Sequence, residues 1–242
     1  MTTHFVFLHG GGQGSWIWNE TIDALKIQAH DDADRYFSLD IPGCGQKRER
    51  VTDSISAADI VAELLADIDR AGITDAILVG HSQAGTILPL LFKARPTRFR
   101  HVVYVSCLIP QGKQTALTWR AEMPAADSAL LSDRKPGSRE FFDAAFCNDM
   151  NRTAADVFLD KLGFDRWPAS SYQMADWSYE HLVTSPSTYV QCLRDTILPM
   201  QWQQMFAARV HAKNIVRIDA GHQVMNTRPH ALAEVLRVID LA

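Results

Sequence analysis

The feature that most constrains the fold is the stretch from Ala76 to Leu88, where an apolar strand-like run, Ala76 to Val79, passes into a helix-like run with almost no connector. A turn this sharp forces the residue at its tip, Ser82, into a strained backbone and lifts its side chain clear of the sheet. Small residues are needed where strand and helix backbones approach, and Gly80, Ala84 and Gly85 supply them. Serine at such a boundary can also cap a helix, but capping does not account for the flanking small residues.

Around this elbow the chain alternates strand and helix patterns. Strands are expected at His4 to Leu8, Arg35 to Leu39, Ala76 to Val79, His101 to Val105, Thr188 to Leu193 and Asn214 to Ile218. Several read as continuous apolar runs, the mark of parallel strands buried on both faces. Helices are expected over residues 16–30, from Ser56 to Ala71 with Ile60, Leu64, Leu65 and Ile68 on one face, from Gln83 to Ala94, and from Pro229 to Leu241. Alternation of this kind predicts an α/β fold, a sheet of about six mostly parallel strands flanked by helices.

The stretch between Val105 and Thr188 breaks the rhythm. It lacks a convincing strand and carries helical patterns at Ser138 to Cys147, at Thr153 to Leu162 and near Ala175 to Leu182. A structureless loop of that length is improbable. Residues 110–185 are therefore expected to form a helical cap inserted into a core made of residues 1–109 and 186–242. The cap is rich in aromatic and methionine side chains, Trp119, Met123, Phe146, Phe158, Trp167 and Tyr172 among them. Most should pack it onto the core, and the rest should line an apolar pocket.

A serine hydroxyl needs a base to take its proton, and the base needs a carboxylate to fix its tautomer. In a parallel sheet these groups should stand at the carboxyl ends of later strands. His222 follows the last strand, in Asp219-Ala220-Gly221-His222, with Gly221 permitting a tight loop. Asp195 follows the strand Tyr189 to Leu193. Asp219 is the rival acid, close to His222 along the chain. The strand ending at Val105 is followed by Ser106-Cys107-Leu108, which offers no acid. The order Ser82, Asp195, His222 is a known nucleophile-acid-base order. Acyl transfer also needs donors for a developing oxyanion. The expected donors are the backbone amides of Gln83 and Gly11. The run Gly10 to Gly14 lacks the Gly-Lys-Ser/Thr ending of a phosphate loop and the spacing of a dinucleotide site.

With 242 residues, 47% of them hydrophobic, one compact unit is expected. A net charge of -4 without a basic stripe argues against a nucleic-acid partner. No apolar run reaches the roughly 18 residues of a membrane span, and no secretory leader pattern is visible. The cysteines Cys44, Cys107, Cys147 and Cys192 are too scattered for a zinc or disulfide framework and read as free thiols of a cytoplasmic protein.

The pieces Phe7 to Gly10 with Trp16-Ile17-Trp18, Asp40 to Gly45, the Gly80 to Gly85 elbow, Tyr189 to Pro199, and Ala220-Gly221-His222 followed by Pro229 together resemble the α/β-hydrolase superfamily. More narrowly, they resemble its small-cap branch of methyl-salicylate-type methylesterases, hydroxynitrile lyases and bacterial esterase relatives. The resemblance implies a triad of Ser82, Asp195 and His222, an oxyanion hole from Gly11 and Gln83, an apolar acyl pocket beneath the cap, and neither cofactor nor metal. The aromatic-rich cap and mostly apolar sequence make a small-to-medium hydrophobic carboxylic ester the expected substrate, and a homodimer is the protein partnership considered. Hydroxynitrile lyases of this branch place threonine and lysine where this chain has Gly10 and Gln223, which disfavours cyanohydrin cleavage. Cofactor-free dioxygenases of N-heteroaromatic rings, which use a His-Asp pair, carry histidine where Gln83 stands. Carbon-carbon bond hydrolases share the triad, and a non-enzymatic small-molecule receptor on the same scaffold is the reading furthest from an esterase.

Overall fold

The computed structural model describes residues 3–29, 35–122 and 134–241. His30 and Met123, part of the first expected helix and of the expected cap, lie outside them. Six strands form one sheet in the order β2-β1-β3-β4-β5-β6. They are β1 His4–Leu8, β2 Arg35–Leu39, β3 Ala76–His81, β4 Phe99–Val105, β5 Ser187–Cys192 and β6 Asn214–Ile218. Every neighbouring pair is parallel, so the sheet is wholly rather than mostly parallel.

Side chains alternate across a strand, and this divides the core in two. Val6, Leu8, Leu78, Val102, Tyr104 and Tyr189 point to one face. There they meet α2 (Ala57–Arg70), α3 (Leu88–Ala94) and α6 (Met200–Arg209) through Ile60, Leu64, Ile68, Leu91 and Phe206. Phe5, Phe7, Ile77, Val79, Val103 and Val190 point to the other face, where α1 (Asn19–Ile27), α7 (Val224–Thr227) and α8 (Pro229–Leu241) bring Leu25, Val224, Leu232 and Leu236. The apolar runs of the sequence are thus strands covered on both sides. Helix α2 begins with a capping box, Ser56 Oγ accepting from Asp59 N at 3.2 Å and Asp59 Oδ2 accepting from Ser56 N at 2.9 Å.

Three expectations need correction. The helix expected from Gln83 to Ala94 is a 3₁₀ segment, Ser82–Thr86, followed by α3. Pro89 sits in the first turn of α3, where its missing N–H leaves Gly85 O without an α-helical partner, so the helix starts afresh there. The first helix likewise starts as a 3₁₀ turn, Ser15–Trp18, before α1. Near Ala175 to Leu182 there is no α-helix, only the 3₁₀ turn Glu180–Leu182. Asp176 has φ +64, which ends helical geometry, and Trp177 instead bridges to Gly112 and donates its indole N–H to Gln114 O at 2.7 Å.

Between β4 and β5 stand α4 (Arg139–Phe146) and α5 (Arg152–Lys161). Ser138 and Asn151 cap them through Phe141 N and Ala154 N. Two strand ends matter most for function. Because β1 pairs with β2 on one side and β3 on the other, the chain reverses its direction of travel across the sheet there. The carboxyl ends of β1 and β3 lie side by side at that switch, where parallel sheets form crevices. The glycine run after β1 therefore meets Ser82 after β3.

Candidate active site

Ser82 has φ +54, a left-handed backbone that costs a non-glycine residue about 1–2 kcal/mol. The surroundings hold it there. A Cβ on Gly80 would lie 2.6 Å from Leu88 Cδ1 and 2.9 Å from Ala84 Cβ, so strand and helix start are in contact. The Ser82 carbonyl also accepts from Leu108 N at 2.9 Å. Its hydroxyl does not cap the helix; it meets His222 Nε2 at 3.0 Å.

His222 Nδ1 lies 2.6 Å from Asp195 Oδ2, and both side chains are fully buried. An ionised carboxylate only accepts, so Nδ1 carries the proton and the Nε2 lone pair faces Ser82. Asp195 is held by three further donors: Ser106 Oγ to Oδ2 at 2.5 Å, and the backbone N–H groups of Ile197 and Leu198 to Oδ1 at 2.8 and 2.9 Å. These bonds fill the carboxylate's acceptor capacity and hold it as an anion pointed at one ring nitrogen.

Two more histidines support the site from below. His81 Nε2 donates to the His222 carbonyl at 2.9 Å, with the two rings 4.5 Å apart. Burial, and then the nearness of His222, pushes the His81 pKa well below its ordinary value, so His81 is neutral. His9 donates from Nδ1 to Gly10 O at 2.8 Å and accepts at Nε2 from Ile41 N at 3.2 Å. Burial lowers its pKa too, against opposing contributions from Gly10 and Asp40.

The structure brings Gly11 and Gln83 together beside Ser82. A Cβ on Gly11 would fall on Gln83 Oε1, and one on Gly10 would lie 3.0 Å from Ser82 Cβ. From the segment between β4 and β5, Phe146 lies 5.5 Å from the His222 ring, Leu162 reaches Gly12, and Trp167 donates to Gly10 O. Tyr172, whose hydroxyl is raised in pKa by burial, neighbours the Gln83 side chain.

Asp219 does not join the chain of hydrogen bonds. Its side chain is 71% exposed and pairs with Arg194 Nε at 2.8 Å, the role of a carboxylate that steadies its loop. His101 and His181 bond Thr188 and the Pro89 carbonyl, away from Ser82. All four cysteines are buried and unpaired. Among the described residues no group of three His, Cys, Asp or Glu side chains could hold a metal, and no helix is long and apolar enough to cross a membrane.

Sequence reasoning gave Ser106 and Trp167 no role at the site and passed over Asp149. Ser106 had a signal, since it occupies the strand end where an acid was sought. The other two sit in a segment whose placement over the core no local pattern reveals.

A parallel sheet with a strained serine at the central strand end, a buried imidazole against it and a saturated carboxylate behind defines a class before any comparison. The model of the alpha/beta hydrolase family matches residues 5–235, and the chain belongs to that family. Within it the chain is a carboxylesterase-like hydrolase. It is 24% identical to Methylesterase 10 of Arabidopsis thaliana over 98% of its own length and 91% of the relative's. It is 25% identical to the carbendazim hydrolyzing esterase of Nocardioides sp. (strain SG-4G), over 98% and 99% of the two chains. Among solved structures, polyneuridine aldehyde esterase superposes with a TM-score of 0.79 at 19% identity, covering 99% of this chain and all of the other.

Proposed function

We propose that the protein is a serine esterase that cleaves a small-to-medium hydrophobic carboxylic ester through an acyl-enzyme, with Ser82, His222 and Asp195 as its catalytic triad. The observation that carries this reading is the unbroken chain from Ser82 Oγ to His222 at 3.0 Å and on to Asp195 at 2.6 Å.

In this mechanism Ser82 Oγ bonds to the ester carbonyl carbon as its proton passes to His222 Nε2. The carbonyl oxygen becomes an oxyanion held by the Gly11 and Gln83 N–H groups. Collapse breaks the bond to the alkoxy oxygen, which leaves as the alcohol with the proton from His222. Water then attacks the acyl carbon while His222 takes its proton, and Ser82 Oγ departs with that proton as the acid is released. Asp195 stays ionised and stabilises the imidazolium in both halves.

A hydrophobic substrate is supported by a row of aromatic rings that leads to the base. Trp16 meets Phe158 at 5.6 Å, Phe158 meets Phe146 at 5.9 Å, and Phe146 meets His222 at 5.5 Å. In this reading the described residues between 110 and 185 act as the cap. The neutral amide of Gln223, buried next to His222, supplies no cation for a leaving cyanide.

Ser82→Ala and His222→Ala assayed on a panel of p-nitrophenyl and methyl esters, and on a hydroxyquinolone, test the reading. Both variants should lose ester turnover by about 10⁴-fold or more. Ring cleavage that survives in Ser82→Ala and vanishes in His222→Ala would replace the esterase with a base-driven dioxygenase.

A further inference from the structure

We propose that Trp167 is a positioning residue for the oxyanion donor Gly11, acting through the Gly10 carbonyl; the inference rests on the ester-hydrolysis reading. Trp167 Nε1 donates to Gly10 O at 3.1 Å, and His9 Nδ1 donates to the same oxygen at 2.8 Å. Gly10 C=O and Gly11 N–H belong to one planar trans peptide and point in opposite directions. Fixing the carbonyl therefore fixes the amide.

The fixing is needed because the run Gly10-Gly11-Gly12 has no Cβ to restrict the rotation of its peptide planes. An amide that turned away would leave the oxyanion with one donor. Two donors on the same carbonyl oxygen oppose that rotation.

Both are themselves anchored on the loop after β2. His9 Nε2 accepts from Ile41 N at 3.2 Å. The stretch carrying Trp167 is held by Arg166 N donating to Gly43 O at 3.0 Å. One residue earlier, the buried Asp165 accepts from Gly45 N at 2.8 Å, Arg48 Nε at 2.9 Å and Trp16 Nε1 at 3.0 Å. Trp167 is 4% exposed and stands edge-on to the His9 ring at 5.9 Å. The segment between β4 and β5 thus reaches the core at the backbone of the oxyanion loop, and its docking and the direction of the Gly11 amide are one event.

Trp167→Phe keeps an aromatic ring and removes the N–H. With p-nitrophenyl butyrate, kcat should fall about tenfold, the worth of one hydrogen bond, while KM stays within about twofold. An aliphatic trifluoromethyl ketone, which forms a tetrahedral oxyanion on the serine, should lose affinity by about the same tenfold, and butyrate should bind unchanged. Arg48→Ala, which loosens the Asp165 anchor without touching Gly10, should show the same pattern at smaller amplitude. It decides the question if Trp167→Phe does not fold by its melting curve. Wild-type kcat and ketone affinity in the variants, or equal losses for ketone and butyrate, would overturn the inference. Ser82→Ala run alongside separates the failures: if it keeps turnover, the serine mechanism has failed, and if it is inert while Trp167→Phe matches wild type, only the positioning role has.

Discussion

The backbone N–H of Gly221 donates to the buried carboxylate of Asp149 at 2.9 Å. Through this bond the segment between β4 and β5 grips the loop that carries His222. The same carboxylate lies 3.6 Å from Arg194 and 3.9 Å from Arg228, and Asn148 Nδ2 donates to Arg194 O at 2.7 Å. Arg194 adjoins Asp195, so Asn148 and Asp149 touch the neighbours of both the proposed base and the proposed acid. Gly221 gives these side chains room: a Cβ there would clash with Asn148 Oδ1 and lie 2.6 Å from Asp149 Oδ1, so these side chains would have to shift.

Gly221→Ala should therefore lower stability by about 1–3 kcal/mol, the usual cost of overpacking, measured by urea unfolding. Displacing His222 should also cut kcat by about 10²-fold, as misplacements near 1 Å do. Asn148→Ala in the same chain should recover part of both losses. Independent, additive effects would mean that the close approach is not the cause.

Ser106 has φ +39 and places its hydroxyl 2.5 Å from Asp195 Oδ2, on the oxygen that also holds His222. Ser106→Ala should reduce kcat by about tenfold, the scale of a hydrogen bond to a charged group, with KM little changed. Asp195→Asn should cost about 10⁴-fold, since an amide would present N–H to Nδ1 and force the wrong tautomer. Steady-state kinetics on one ester would read both, and a Ser106→Ala loss as large as that of Asp195→Asn would contradict the division of roles.

Among the described residues, three histidines have lowered pKa values in the folded chain. Burial lowers His9, burial and His222 lower His81, and burial with Arg100 lowers His101 to about 4. Unfolded, each takes up a proton near pH 6.5, so below that pH the unfolded chain binds more protons and stability falls as pH falls. Above about pH 6.5 the stability is fully present as far as these groups are concerned. Thermal melts between pH 7.5 and 5 should show a falling midpoint whose slope is reduced in His101→Gln. A midpoint that rises on acidification would contradict the neutral assignments.

The sheet was legible because parallel strands buried on both faces leave continuous apolar runs, as in Ile77 to Val79. Ser82, Asp195 and His222 were legible because each follows a strand that carries it to the same edge. What the sequence hid was long-range: Pro89 dividing the helix after the elbow, Trp177 leaving a helical pattern to bridge Gly112, and Asp149 and Trp167 reaching the core from a segment with no strand to place it. Gly221, visible as a loop glycine, also meets side chains more than seventy positions away in sequence, Asn148 and Asp149, which no local pattern reveals.

The central claim is that Ser82 becomes acylated during turnover. Rapid acid quench of the enzyme mixed with p-nitrophenyl butyrate, followed by intact-mass and peptide analysis, measures it directly. A butyryl adduct should form on the peptide containing Ser82 in the wild type and be absent in both Ser82→Ala and His222→Ala, since His222 takes the serine proton in the acylation step. Ester turnover in Ser82→Ala at the wild-type rate, or an adduct mapped to another residue, would contradict it.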